Sequence, residues 1–244
     1  MKNEMPIDLE KVDFNNPEAK KDYNKDLFSV VAPKYDFITK ALSFGRDRSW
    51  KEILIKSLPN AENPSCLDIA CGTGDLTFML ADKYKNGRIE GIDINEDMVA
   101  LSKIKSTYNN VVFNVSDMHK MEQEDNSIDI ITGGYALRNS PDLHSTVFDL
   151  YRIMKKGGHA GFLDFSKSSN ILIQKIQLFL LKLWGSFWGL VIHRNSDIYA
   201  YIAESLKYFP DRKRLKSILE DAGFKNVKIK ILFFGFTAIV FFEK

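Results

Sequence analysis

Residues 67–75 read Leu-Asp-Ile-Ala-Cys-Gly-Thr-Gly-Asp, an apolar strand that breaks into a Gly-x-Gly turn, and a second apolar run ends at Asp93, roughly twenty residues on. A strand that stops in two glycines and hands over to a helix opens a βαβ unit, so this stretch points the chain toward an α/β architecture. Gly72 and Gly74 remove the Cβ atoms that would hold a ligand off the backbone. Asp93, at the carboxyl end of the next strand, stands where an acid binds a ribose diol. The pattern points to an adenosine-like ligand, although the same turn also occurs in structural βα loops. Two details turn it away from a dinucleotide. Thr77 occupies the third glycine position of Gly-x-Gly-x-x-Gly, and Asp75 puts a carboxylate at the helix N-terminus, where a pyrophosphate would sit. A cationic ligand without phosphate fits better, and S-adenosylmethionine, with its sulfonium and ammonium groups, is one.

From residue 66 onward, apolar runs at 66–70, 88–93, 111–115, 128–133 and 158–165 alternate with stretches of helical spacing, which predicts parallel βαβ units. Lys155-Lys156-Gly157-Gly158 reads as a helix C-terminus, with cations at the carbonyl end of the dipole and glycine for the left-handed turn. A helix over 211–222 stops at Gly223. Two further runs, 226–233 and 236–242, flank a Phe234-Gly235 turn and predict a terminal hairpin. Ahead of the sheet, 18–31 and 47–58 show helical spacing and are joined by the aromatic segment 35–44. The arm from Met1 to Phe14 has no basic stretch leading into an apolar core and is read as no secretion signal. One domain accounts for the 244 residues: N-terminal helices or lid over 1–60, a ligand-binding core over 61–166, inserted cap helices over 167–205, and a C-terminal helix and hairpin over 206–244.

The balance of 34 basic against 32 acidic residues, net +2, argues against a nucleic-acid partner. Cys66 and Cys71 match neither a redox pair nor a zinc site and suggest a reducing compartment. His119, His144, His159 and His193 are scattered, so no metal is expected. The most hydrophobic stretch is 171–192. In it Lys175, Lys182, Ser186 and Gly189 recur at intervals that place them on one helical face. Two readings stay open: a cap packed on the core, or a helix that lines a channel for a greasy substrate or rests in a membrane interface.

Taken along the whole chain, these motifs resemble the ubiquinone/menaquinone-biosynthesis C-methyltransferases, within the class I S-adenosylmethionine-dependent methyltransferases. Tyr35-Asp36, Leu42-Ser-Phe-Gly45 and Trp50-Lys51 are similar to the family's N-terminal signature. The 67–76 turn resembles its cofactor loop, Gly91 through Met98 its ribose strand, and Ala136-Leu-Arg-Asn139 its active-site loop. Tyr151 through Gly158, Leu163-Asp-Phe-Ser166, Tyr201-Ile-Ala-Glu-Ser205, Phe209-Pro210 and Ala222-Gly-Phe224 look like downstream signatures. The chain departs from the family at Gly134, where a serine usually stands before the aromatic residue, at Cys71 in place of a glycine, and over 170–195.

The resemblance implies a Rossmann-like α/β fold: a mostly parallel seven-stranded sheet with a C-terminal antiparallel hairpin and N-terminal and inserted cap helices. It implies a cofactor shell of Asp68, Ala70, Gly72, Thr73, Gly74, Asp93, Ile94, Met98, Asp117, Met118 and the backbone of Gly134. Asp68 would orient the ammonium group, Asp93 the ribose and Asp117 the adenine amine. The acceptor it implies is a prenylated quinol, either demethylmenaquinol or the benzoquinol precursor of ubiquinone. Arg138 would stabilise a phenolate or polarise a water, Asn139 would fix a ring oxygen, Tyr35 and Asp36 would contribute, and Glu204 would orient Arg138. A lipophilic acceptor further implies a cytoplasmic enzyme that touches the inner face of the membrane through Lys175, Lys182, Trp184 and Trp188; a homodimer is a separate expectation, without a sequence argument behind it. Another lipophilic acceptor, or a non-catalytic cofactor-binding scaffold, are the alternatives.

Overall fold

The computed structural model describes residues 7–9 and 12–244; positions 1–6 and 10–11 of the arm read as no secretion signal lie outside the described residues. The apolar run after residue 64 forms β1 (Ser65–Ile69), with Cys66, Leu67 and Ile69 all buried, as a central parallel strand covered on both faces requires. β2 (Arg88–Asp93) and β4 (Ile128–Gly134) pair with it in parallel, β3 (Val111–Val115) adds to β2 and β5 (Met154–Phe165) to β4 in the same sense, and α4 (Asp75–Lys83), α5 (Glu96–Lys105) and α6 (Leu143–Ile153) connect them. β6 (Lys225–Leu232) and β7 (Thr237–Glu243) follow α9 (Arg212–Asp221). The seven-stranded order is β3-β2-β1-β4-β5-β7-β6, with β7 antiparallel to both neighbours. The strand order reverses between β1 and β4, and the crevice above their carboxyl ends is where such sheets bind ligands.

The Lys155–Gly158 segment is not a helix C-terminus. α6 ends at Ile153, and these residues form a bulge at the start of β5: the register jumps from Ile128↔Met154 to Ile130↔His159, and Gly157 carries φ +79°. A bulge and a helix cap demand the same left-handed glycine, so local sequence does not separate them.

The caps are helical at both ends of the core. α1 (Pro17–Val31) starts at Asn16, whose side chain accepts from the Glu18 and Ala19 amides, with Pro17 in the first turn. The aromatic segment becomes α2 (Tyr35–Leu42), followed by α3 (Asp47–Ser57). α7 (Ile171–His193) packs on α8 (Asp197–Tyr208) along the buried stripe Gln177, Leu181, Gly185 and Gly189. A Cβ at Gly185 or Gly189 would sit 2.3 or 2.4 Å from the carbonyl oxygens of Tyr199 and Asn195. Gly189 therefore belongs to a close helix contact and not to a solvated polar face with the lysines. Trp184 and Trp188 also turn away from that face: both are half-buried, Trp184 stacked on Phe44 at 4.7 Å and Trp188 edge-on to Phe37 at 6.1 Å.

Candidate active site

The turn after β1 is built from left-handed residues: Ala70 (φ +49°), Gly72 (φ +54°) and Gly74 (φ +93°). Gly72 lies beneath the Tyr35 ring, 3.5 Å from where its Cβ would be, and its amide donates to Asp93 Oδ2 at 2.8 Å. Asp93 Oδ1 accepts from the Asn95 amide at 2.9 Å. Burial raises the pKa of Asp93 above the usual carboxylate range, against the pull of these backbone donors. Ala70, Gly72, Asp93, Ile94, Met98, Asp117, Met118 and Gly134 converge on one narrow cleft at the switch point, covered by Phe28 and Tyr35. Asp117 carries Lys21 from α1 at 2.9 Å. Gly74 lines no part of the cleft; it shapes the turn and leaves room for Phe78 and Phe113.

Asp68 and Thr73 line an adjoining recess with Lys51, Asp75, Tyr35 and Tyr135. Sequence reasoning assigned Lys51 no role, yet it is a buried cation at the end of the cleft, 2.7 Å from Asp47 and 2.9 Å from Asp75. Burial alone would lower its pKa, but these two carboxylates raise it beyond the ordinary lysine range. The Tyr135 hydroxyl donates to Asp47 at 2.7 Å, which ties the residue after Gly134 into the same cluster. A cation and a buried carboxylate side by side suit the carboxylate and ammonium of a cofactor's amino-acid end, so the donor set fits S-adenosylmethionine.

Asp68 accepts from Thr77 at 2.7 Å and Thr132 at 2.8 Å, but burial dominates and pushes its pKa up to about 6. A folded pKa above the unfolded value means that the stability Asp68 contributes is present below about pH 4 and is lost as pH rises through 6. A bound ammonium has the opposite preference, for the ionised form. Cofactor affinity measured by calorimetry should therefore hold steady from pH 6 to about 7.5, where the ammonium is still protonated, and fall toward roughly tenfold per unit below pH 6, a dependence that Asp68→Asn removes. Equal affinity at pH 5 and pH 7 would take Asp68 out of the site.

Arg138 lies in a short 3-10 turn after β4 and is almost fully buried. Its Nε lies 3.3 Å from Asp164 Oδ1, its backbone amide donates to Asp164 Oδ2 at 3.0 Å, and its Nη1 donates to Ser205. The rings of Phe165 and Tyr201 stand 5.6 Å from the guanidinium. Glu204 does not orient Arg138; it pairs with Lys207, and the next residue along α8, Ser205, makes the contact. Asp164 ends a parallel strand as Asp93 does, a positional signal that could have revealed it. Asn139 donates to the Tyr135 carbonyl at 2.8 Å and accepts from the Tyr201 hydroxyl at 2.9 Å. From α1, Lys20 Nζ reaches the Arg138 and Ser140 carbonyls and Asn24 the Asn139 carbonyl, so the whole Leu-Arg-Asn turn is gripped from above. Asp36 is not drawn into this cluster: it faces Thr73 and Lys105 and latches α2 to the cofactor turn and α5.

Beside this turn lies an almost wholly apolar cavity of about 610 Å³. Among the described residues on its wall, Arg138 alone is charged. Phe28, Tyr35, Tyr135 and Asn139 line both the cavity and the narrow cleft at the switch point, so the two share one boundary.

This architecture is that of a Rossmann-like class I methyltransferase. Solved structures similar to the chain include a possible histamine N-methyltransferase from Thermotoga maritima (TM-score 0.62, 16% identity, covering 89% of this chain and 98% of that one). A methyltransferase from Aquifex aeolicus is also similar (TM-score 0.57, 19% identity, 79% and 88%). The chain belongs to the ubiE/COQ5 methyltransferase family, whose model matches residues 16–244. A demethylmenaquinone methyltransferase from Lactobacillus johnsonii is 35% identical, covering 94% of this chain and 95% of its own. A ubiquinone/menaquinone biosynthesis C-methyltransferase from Rickettsia bellii is 34% identical over 87% and 89%.

Proposed function

We propose that this protein transfers a methyl group from S-adenosylmethionine to a ring carbon of a prenylated quinol, of the demethylmenaquinol or ubiquinone-precursor type. The observation that carries the reading is the apolar cavity meeting the cofactor cleft across Tyr35, Tyr135 and Asn139, with one buried cation on its wall. Its volume suits an aromatic ring and the first part of an apolar tail. Bound S-adenosylmethionine supplies an electrophilic methyl group on its sulfonium.

Carbon attack on that methyl needs an electron-rich ring, so a phenolic proton must leave as the ring nucleophile forms. Arg138 stays protonated and is no base; its role is to hold the phenolate that makes the neighbouring carbon nucleophilic. Asp164 and Ser205 fix the guanidinium while leaving N–H groups for the cavity. Asn139, braced by Tyr201 and Tyr135, positions a ring oxygen, and Phe28 and Tyr35 exclude water from the boundary. After the ring carbon–methyl bond forms, loss of the ring proton to solvent restores aromaticity as a phenolate, which takes back one proton. The products are the methylated quinol, S-adenosylhomocysteine and one proton.

The chemistry requires the reduced acceptor. Purified protein should methylate a demethylmenaquinol in the presence of dithionite and leave the oxidised quinone untouched; methylation of the quinone at equal rate would rule out phenolate activation. Because a polyprenyl chain is nearly insoluble in water, the reading places the protein in the cytoplasm with peripheral contact at the inner face of the cell membrane. A second reading, another lipophilic phenol as acceptor, is favoured by a wall with a single charged group to recognise a ring.

A further inference from the structure

α7 is long and apolar enough to cross a membrane by length and composition, yet it is laid on α8 along its Gln177, Leu181, Gly185 and Gly189 stripe. The opposite side faces outward. Leu172, Ile176, Phe179, Leu183, Phe187 and Leu190 are each at least half exposed there, a contiguous apolar face of a kind that marks an interaction site. We infer that this face docks on an anionic lipid bilayer and that the acceptor cavity opens through it, so that a prenylated acceptor passes from lipid to the active site without crossing water. The inference rests on the proposed acceptor being prenylated.

Three observations carry it. First, the docking face and the cavity mouth share residues: Leu180, Leu183, Phe187, Phe44 and Phe234 line the cavity and are also exposed. A portal framed in this way loses its hydration penalty when it rests against acyl chains.

Second, the hairpin tip between β6 and β7 holds two consecutive phenylalanines in the left-handed region, Phe233 at φ +41° and Phe234 at φ +54°. Bulky side chains rarely adopt that conformation, and its result here is Phe234 standing 92% exposed at the lip.

Third, the charge carried by α7 itself has one sign. No Asp or Glu occurs from 167 to 196, whereas Lys175 and Lys182 are exposed and, seven residues apart, follow one edge of the apolar arc. Exposed Arg46 lies over the Phe233 ring at 5.9 Å. Anionic headgroups answer this pattern. A second copy does not, since a twofold contact through the face would bring the same cations together with no α7 carboxylate to offset them. The Gly185 and Gly189 contact keeps the helix on the protein, so it lies in the interface plane and does not span.

Vesicle sedimentation of the full chain, with phosphatidylcholine alone and with added phosphatidylglycerol, tests the inference. Binding should require the anionic lipid and weaken with salt. Lys175→Glu with Lys182→Glu should lower vesicle affinity at least roughly 25-fold, about fivefold per cation lost. Ile176→Ser with Phe179→Ser alters no residue of the cavity wall. It should leave turnover of a short-chain, water-soluble quinol unchanged and cut turnover of a long-chain quinol embedded in vesicles by roughly tenfold or more. Failure of the wild type to sediment, equal binding to neutral vesicles, or a solution dimer that buries these residues would overturn it. Vesicle binding intact with neither quinol methylated would leave the docking face standing and remove the acceptor reading instead.

Discussion

Arg138→Ala lowers methyl transfer by roughly 10²- to 10³-fold while cofactor affinity stays within a few-fold. The selectivity follows from position: Arg138 lines the acceptor cavity and does not line the cofactor cleft. The variant also loses stability, because Asp164 is buried and its carboxylate is left with backbone amides alone. Breaking one side of such a pair costs about 3–5 kcal/mol. Adding Asp164→Asn removes the uncompensated charge and recovers much of the melting temperature without recovering turnover. Recovery of both together would make Arg138 a structural residue. Arg138→Lys keeps the charge but loses the fork that reaches Asp164 and Ser205, and falls between the two.

Lys51→Met weakens S-adenosylmethionine binding by roughly 10- to 100-fold, the worth of a charge-assisted hydrogen bond at a buried site. Decarboxylated S-adenosylmethionine separates this contact from general damage. The wild type should prefer the carboxylated cofactor, and Lys51→Met should bind the two within a few-fold of each other. The substitution also strands Asp47, which retains only the Tyr135 hydroxyl, so Asp47→Asn in the same background should restore stability but not the preference. A variant that still discriminates between the two cofactors would show that Lys51 only braces α3 against α4.

The cleft at the β1 turn was legible because its residues are tied to backbone events: a turn that needs glycine, and acids at strand ends. Asp93, Gly72, Met98 and Asp117 all meet at the cleft that the strand pattern placed. Lys51 was not legible, because Asp47 and Lys51 four apart on a helix read as an ordinary surface pair; only the tertiary approach of α3 to the cofactor turn buries them. Glu204 and Ser205 are neighbours on α8, and the helix phase that brings Ser205 to Arg138 depends on how α8 docks, which no local pattern states. The Lys155–Gly158 bulge and the buried Gly189 fail for the same reason. A glycine announces an unusual backbone or a close approach, but which of them is decided by the neighbouring element.

The central claim is ring methylation of a prenylated quinol, and the measurement that meets it most directly is the quinone profile of cells lacking this protein, by mass spectrometry, before and after restoring it. The account predicts accumulation of a quinone lighter by one methylene, corrected by the intact chain and not by Arg138→Ala. A profile unchanged by loss of the protein, or corrected equally by the Arg138→Ala form, would contradict it.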